Sequence, residues 1–240
     1  MGGRGVLLVG ASSEIGRAIA QAFAESGDRV VGVSAEESSA SSLTAHLVAD
    51  CTQPQLAADV VAAARDTLGR LDVIVPAAAV MPMARLTATT DEQWRQGIGA
   101  TLDSFFYIAR AAVPLLGRDA AIVAVSSVNA SRMVPGRSVY SAAKGGVEAL
   151  VRQLAVEHGP AGIRVNAVAP GAVATDAAED AEGYPLRRVG HPHEVADAVV
   201  YLASERASFI TGVVLPVDGG LSVSSPAAWL RDDLRAGWVD

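Results

Sequence analysis

Seven short apolar, β-rich runs, separated by longer alanine-rich stretches, recur along the chain at residues 6–9, 30–33, 47–49, 73–75, 122–125, 165–168 and 213–217. A strand buried on both faces has no polar side to present, so it reads as an uninterrupted apolar run; the alternation therefore specifies an α/β protein with a parallel sheet covered by helices on both faces. About seven strands are expected from this pattern. In the first helical stretch Ile15, Ile19 and Phe23 fall four apart and share one face above the sheet. Gly27 ends that helix. Residues 34–44 are rich in Ser and Glu without a period, which predicts a loop between the second and third strands.

Composition narrows the partners. The net charge of −7 is spread along the chain rather than gathered in a basic block, so no nucleic-acid partner is expected. No stretch of about twenty apolar residues is free of charge, Gly or Pro, and no membrane span is expected. Residues 1–5 run into the first strand without the features of a secretory signal, and the single cysteine, Cys51, has no partner for a disulfide or a thiolate metal site. A reducing cytoplasmic setting fits both. His191-Pro192-His193 reads as the opening of a helix, with no third ligand in view, so no metal is expected.

Two motifs carry chemistry. Gly10-Ala11-Ser12-Ser13-Glu14-Ile15-Gly16 lies where the first strand gives way to the first helix. There a glycine turn lets backbone N–H groups approach a pyrophosphate, and the helix N-terminus adds favourable partial charge. Later, Tyr140-Ser141-Ala142-Ala143-Lys144 places a phenol and an ammonium group four residues apart on one helix face, and Ser127 stands just past the end of a strand. A phenol with an ordinary pKa of about 10 is a poor base near neutrality, and Lys144 supplies the charge that would lower it.

Together these motifs resemble the short-chain dehydrogenase/reductase family, and the resemblance runs on through Asn166 to Gly171, Arg188-Val189-Gly190, Ile210-Thr211-Gly212 and Val217 to Gly220. It implies a single Rossmann-type domain over residues 1–240, with 221–240 as a tail carrying Pro226, Trp229 and Trp238. It further implies an oxidoreductase that moves a hydride between a nicotinamide cofactor and a small alcohol or ketone. Tyr140 would be the general acid and base, Lys144 the holder of the nicotinamide ribose, and Ser127 the hydrogen-bond donor to the reacting oxygen. A fourth position, an Asn in most members that holds a water beside the lysine, falls on Thr101, seven residues after Trp94.

The cofactor-binding residues implied by the resemblance are Gly10, Ser12, Ser13, Ile15, Gly16, Ser34, Asp50, Cys51, Ala78, Tyr140, Lys144, Pro170, Gly171, Val173 and Thr175. Val9 and Glu14 replace a Thr and a Gly of the family fingerprint, and Pro76-Ala77-Ala78-Ala79 stands for Asn-Asn-Ala-Gly, so the backbone there should differ; Glu14 is expected to point outward from the first helical turn. Ser34, at the end of the second strand, is neither the carboxylate that binds a ribose nor the base that accepts a 2′-phosphate. Either NAD(H) or NADP(H) is admissible, and Glu36 and Glu37 tilt the choice to NAD(H). The short acidic segment with Asp176, Glu179, Asp180 and Glu182 would cover a small substrate, with Met81, Met83, Met133, Val134 and Tyr184 as an apolar wall. A homo-oligomer, tetramer or dimer, is implied through the helices of Thr101 and Tyr140. The same residues also admit non-redox acid-base chemistry, as in a dehydratase, isomerase or cyclase, or a non-catalytic cofactor-binding subunit.

Overall fold

Each apolar run forms a strand: β1 (Gly5–Val9), β2 (Arg29–Ser34), β3 (Ala45–Val48), β4 (Val73–Pro76), β5 (Ala121–Val125), β6 (Arg164–Pro170) and β7 (Val214–Val217). The computed structural model describes residues 3–37, 40–176 and 181–235. All strand pairs are parallel, in the order β3-β2-β1-β4-β5-β6-β7. The chain thus winds outward in one direction from β1 and in the other from β4. Between those two strands the connections diverge, leaving a crevice at their C-terminal ends.

Helices α1 (Glu14–Glu25) and α6 (Pro192–Ala203) cover one face of the sheet. Helices α2 (Pro54–Leu68), α4 (Ser104–Ala112) and α5 (Ser138–His158) cover the other, and α3 (Asp91–Ile98) leads into α4 through a π-turn at Gly99–Asp103. Strand pleating divides the core: Leu7 and Val9 pack towards α2 and α4, whereas Val6 and Leu8 pack towards α1 and α6. Each such aliphatic side chain contributes about 1.5–3 kcal/mol by leaving water; the one polar side chain within the runs, the buried Asn166, donates to Ile210 O and accepts from Val213 N.

The turn between β1 and α1 depends on two glycines. Gly10 adopts φ +93°, and a Cβ there would stand 2.6 Å from the Ala78 nitrogen. A Cβ on Gly16 would stand 2.2 Å from the Gly10 carbonyl, so the helix can approach the strand only with glycine at that position. Ser13 caps α1 by accepting from Gly16 N at 2.9 Å. Gly27, at φ +81°, follows the end of the helix. The described part of residues 35–44 contains neither helix nor strand.

Beyond β4 the sheet opens. β5 and β6 pair over five residues, but β4 pairs with β5 only at Val73 and Ile74. Pro76 has no N–H to donate, and the next residue turns the other way, Ala77 N donating to Val9 O at 2.8 Å. This parting sets Ser127 at the floor of the crevice. The tail folds onto its own chain: Arg132 Nε donates to Ser222 O at 2.9 Å, and Arg187 lies over the Trp229 ring at 5.9 Å, beside the short helices α7 (Ala227–Leu230) and α8 (Asp232–Arg235). Trp238, Glu179 and Asp180 lie outside the described residues. Among those described, no helix is long and apolar enough to cross a membrane.

Candidate active site

The crevice is a continuous cleft in two halves that share Ser13, Ala77 and Ala79. The outer half, about 790 Å³, is walled by the glycine turn (Gly10, Ser12, Ser13), the end of β2 (Ser34, Ala35, Glu36), the end of β3 (Asp50, Cys51, Thr52) and Ala78. The inner half, about 770 Å³, is walled by Ile15, Ser126, Ser127, Tyr140, Lys144, Pro170, Gly171 and Val173. The N-terminus of α1 sits between the two, so first-turn N–H groups face the middle of the cleft. An elongated ligand with a diphosphate at its centre fits this layout. Glycine at position 10 keeps that approach clear of any Cβ.

In the outer half Ser34 Oγ donates to Glu36 O and lies 2.7 Å from His46 Nε2. Asp50 accepts from Thr52 N at 3.0 Å, tightening the turn after β3. Cys51 is buried, and desolvation, helped by Asp50, pushes its thiol up to about 11; it packs there as a small apolar group. Glu14 is exposed, yet it is also one of the residues that line the inner half, so a carboxylate stands at the edge of the cleft rather than clear of it.

At the inner end, α5 puts Tyr140 and Lys144 one turn apart in the same wall. Ser127, two residues past β5, is fixed by accepting from Asn129 N at 3.2 Å. Lys144 is 2 % exposed, and its Nζ donates to Val125 O at 2.6 Å while lying over the Tyr140 ring, 5.6 Å from its centre. Burial brings the lysine down to about 7. Tyr140 is raised by burial, against the opposing pull of its hydrogen bond with Ser127 and of the Arg137 charge. The lowered phenol expected from the Tyr-Lys spacing is therefore not found in this arrangement: the ammonium faces the ring and a carbonyl, and desolvation of the phenolate prevails.

Three sequence-predicted residues stand apart from the cleft walls. Gly16 is buried against Gly10 and serves helix packing. Thr101 is 2 % exposed within the π-turn, its Oγ1 has no hydrogen-bond partner, and its neighbour Ala100 is the one that reaches the outer half. Thr175 is exposed beyond Val173. Tyr184 serves as a tie, its hydroxyl accepting from Ala172 N at 2.9 Å, whereas Met81, Met83, Met133 and Val134 are exposed near the loops around the cleft. His191 and His193 stack at the start of α6, where Glu194 accepts from His191 N, and the described residues contain no group of three metal-ligating side chains. Sequence reading missed Ser126, Ala100 and Ser104, which line the cleft, and Arg137 and Asn129, which brace it. Only Arg137, three residues before the tyrosine, left a signal.

A two-part cleft across a topological switch point, with a proton-exchanging group at one end, is the site of an oxidoreductase that works on a dinucleotide. Comparison with known proteins agrees. A family model described as enoyl-(acyl carrier protein) reductase matches residues 10–222. The chain is 34% identical to an uncharacterized oxidoreductase of Schizosaccharomyces pombe, with 93% of each chain covered. It is 35% identical to the L-rhamnose 1-dehydrogenase (NAD(P)(+)) of Azotobacter vinelandii, over 91% of this chain and 96% of the other. The ligand-free aldohexose dehydrogenase of Thermoplasma acidophilum superposes with a TM-score of 0.88 at 31% identity, covering 93% of this chain and 96% of that one. The chain belongs to the short-chain dehydrogenase/reductase family and is an NAD(P)-dependent oxidoreductase. Relatives of this kind do not favour the non-redox and non-catalytic readings.

Proposed function

We propose that the chain interconverts a small alcohol and its ketone with Tyr140 as the proton-transferring group, Lys144 and Ser127 beside it, and NAD(H) as the preferred cofactor. One observation carries the assignment of roles: Tyr140, Lys144 and Ser127 share the wall of the inner half with Pro170 and Gly171. A bound nicotinamide supplies the hydride chemistry. In reduction Tyr140 gives its phenolic proton to the substrate oxygen, and in oxidation it takes that proton back. Ser127 donates a hydrogen bond to the same oxygen and holds it against the phenol. Lys144, near neutrality in its proton affinity, is suited to hold ribose hydroxyls and, when charged, to favour the phenolate. Gly10, Ser12, Ser13 and Ile15 would cradle the diphosphate, with Ser34, Asp50, Cys51 and Ala78 around the adenosine and Pro170, Gly171 and Val173 around the nicotinamide.

The preference for NAD(H) is supported by the outer half, which contains Glu36 and Asp50 and no basic side chain among its lining residues. A 2′-phosphate would meet carboxylate charge there. A homo-oligomer, dimer or tetramer, is supported by apolar residues left exposed on α4 and α5, Phe106 and Val156. A single catalytic domain in the cytoplasm completes the reading. The test is to titrate the protein with NADH and NADPH and to follow loss of reduced-nicotinamide absorbance with a panel of ketones. Tighter NADH binding and ketone-dependent oxidation that Tyr140→Phe abolishes are expected. Turnover unchanged in Tyr140→Phe would overturn the role of the phenol, and a monomeric mass by light scattering would overturn the oligomer.

A further inference from the structure

Two loops leave directly from cleft residues: one follows Ala79, and the other joins Ser127 to Tyr140. They run side by side, with Ala84 N donating to Gly136 O at 3.0 Å and Ala84 bridged to Arg137. In a chain of net charge −7, residues 80–90 and 128–138 carry Arg85, Arg132 and Arg137 and no Asp or Glu. Such a local reversal of sign, bounded by Asp91 and Glu92 near Arg95, draws anions to the two loops themselves.

Arg137 is the one built into place. It is half-buried at the N-cap of α5, three residues before Tyr140. The Asn129 amide satisfies its neighbours when its oxygen accepts from Arg137 Nη1 at 2.8 Å and its nitrogen donates to Arg132 O at 3.2 Å. This fixes the guanidinium. Its Nε is closed to solvent and has no hydrogen-bond partner, and none of the ion pairs among the described residues includes it. Its charge is felt at the Tyr140 phenol. A half-buried cation without an ion-pair partner is unfavourable unless an anion completes it, and because Nε is sealed off the anion would be met by the Nη groups. Met133 and Val134 line, with Arg137, a separate hollow beside the catalytic half of the cleft, across the start of α5 from Tyr140, and offer apolar surface to a short hydrocarbon chain that reaches over the rim.

We infer that Arg137 binds a carboxylate on the substrate, which makes the preferred substrates short oxo acids and hydroxy acids. The inference rests on the proposed ketone–alcohol reading and narrows it. A planar guanidinium with one nitrogen already spent on Asn129 still presents N–H groups to the two oxygens of a carboxylate.

The test compares short oxo acids of differing length with their methyl esters, using the wild type, Arg137→Met and Arg137→Lys. The wild type is expected to favour at least one acid over its ester. In Arg137→Met, the ratio of kcat/KM for that acid to kcat/KM for its ester is expected to fall about 10–100-fold, whatever loss the two share, with partial recovery in Arg137→Lys. Binding without turnover gives a second readout: butyrate titrated calorimetrically into the protein with oxidised cofactor should bind more tightly than butyramide, and Arg137→Met should remove the difference. Equal losses on acid and ester would make Arg137 a scaffold for Tyr140 and overturn the inference. So would a wild type that binds butyramide as well as butyrate, or inorganic phosphate that competes better than butyrate. Turnover of esters without preference for acids leaves the ketone–alcohol reading intact while this inference fails; no turnover of any ketone, with cofactor bound, is the failure of that reading.

Discussion

Lys144 Nζ meets Tyr140 face-on, 5.6 Å from the ring centre, and spends its short hydrogen bond on the Val125 carbonyl. With one N–H held by that carbonyl, the ammonium keeps two further donors for the phenol oxygen or a ribose. Removing the phenol while keeping the ring tests whether the oxygen is the working atom. In Tyr140→Phe, kcat is expected to fall about 10²–10⁴-fold, with NADH affinity and thermal stability near those of the wild type. A variant that kept a tenth or so of the activity would assign the proton to another group.

The buried lysine also has a thermodynamic signature. Its pKa is brought down to about 7 by desolvation, whereas the unfolded chain keeps the proton to about 10.4. Between those values the unfolded state binds more protons, so stability rises with pH through that window; below pH 7 both states are protonated and the penalty is at its full size. Lys144→Met, which is unbranched, one atom shorter and apolar, is expected to be more stable than the wild type by about 2–4 kcal/mol at pH 6, and by less at pH 9. Thermal unfolding at the two pH values checks this. A variant equally stable at both would mean that the ammonium is already well solvated.

How far the sequence reached can be seen element by element. The strand runs were legible because doubly covered strands are almost wholly apolar, with the hydrogen-bonded Asn166 of β6 as the exception, and the Gly10 turn because glycine suits φ +93° there. The Tyr140–Lys144 face followed from helical periodicity alone. Proton affinities were not legible, because they depend on which neighbour each head group turns to, and the same spacing serves a lysine facing the phenol oxygen or one facing Val125 O. Thr101 was placed by counting along a helix. Counting gives the residue but not the rotation of a π-turn, which puts Ala100 against the cleft and Thr101 inside.

Gly10 links fold to ligand. Alanine there combines a left-handed backbone with a Cβ 2.6 Å from the Ala78 nitrogen. Gly10→Ala is expected to lose about 1–3 kcal/mol of stability and to weaken NADH binding at least in proportion, since Ala78 must move into the cleft. Chemical denaturation and fluorescence titration report the two effects separately. Retained stability and retained binding together would mean that the turn has room the geometry denies.

On the outer wall, Glu36 lies close to Ser34, whose hydroxyl donates to the Glu36 carbonyl. Reversing the Glu36 charge tests the cofactor preference without touching the catalytic end. Glu36→Lys is expected to tighten NADPH binding about tenfold and to change NADH binding by much less. The ratio of the two dissociation constants is the quantity to follow, and it should shrink with added salt. An unchanged ratio would place the 2′ position away from this side chain.

Thr101 gives the last test, because its hydroxyl is buried in the π-turn with no partner. A hydroxyl taken from water without a replacement bond costs about 1–3 kcal/mol, and valine has the same shape without that demand. If Thr101 is only a packing residue, Thr101→Val should raise the melting temperature and leave kcat within about twofold of the wild type. Thr101→Asn, which supplies the amide that the family resemblance places here, then tests whether a water held beside Lys144 matters: an increase in kcat would assign such a water to this turn. A valine variant that lost both stability and turnover would mean that the hydroxyl holds a water that matters to Lys144, and Thr101 would return to the catalytic set.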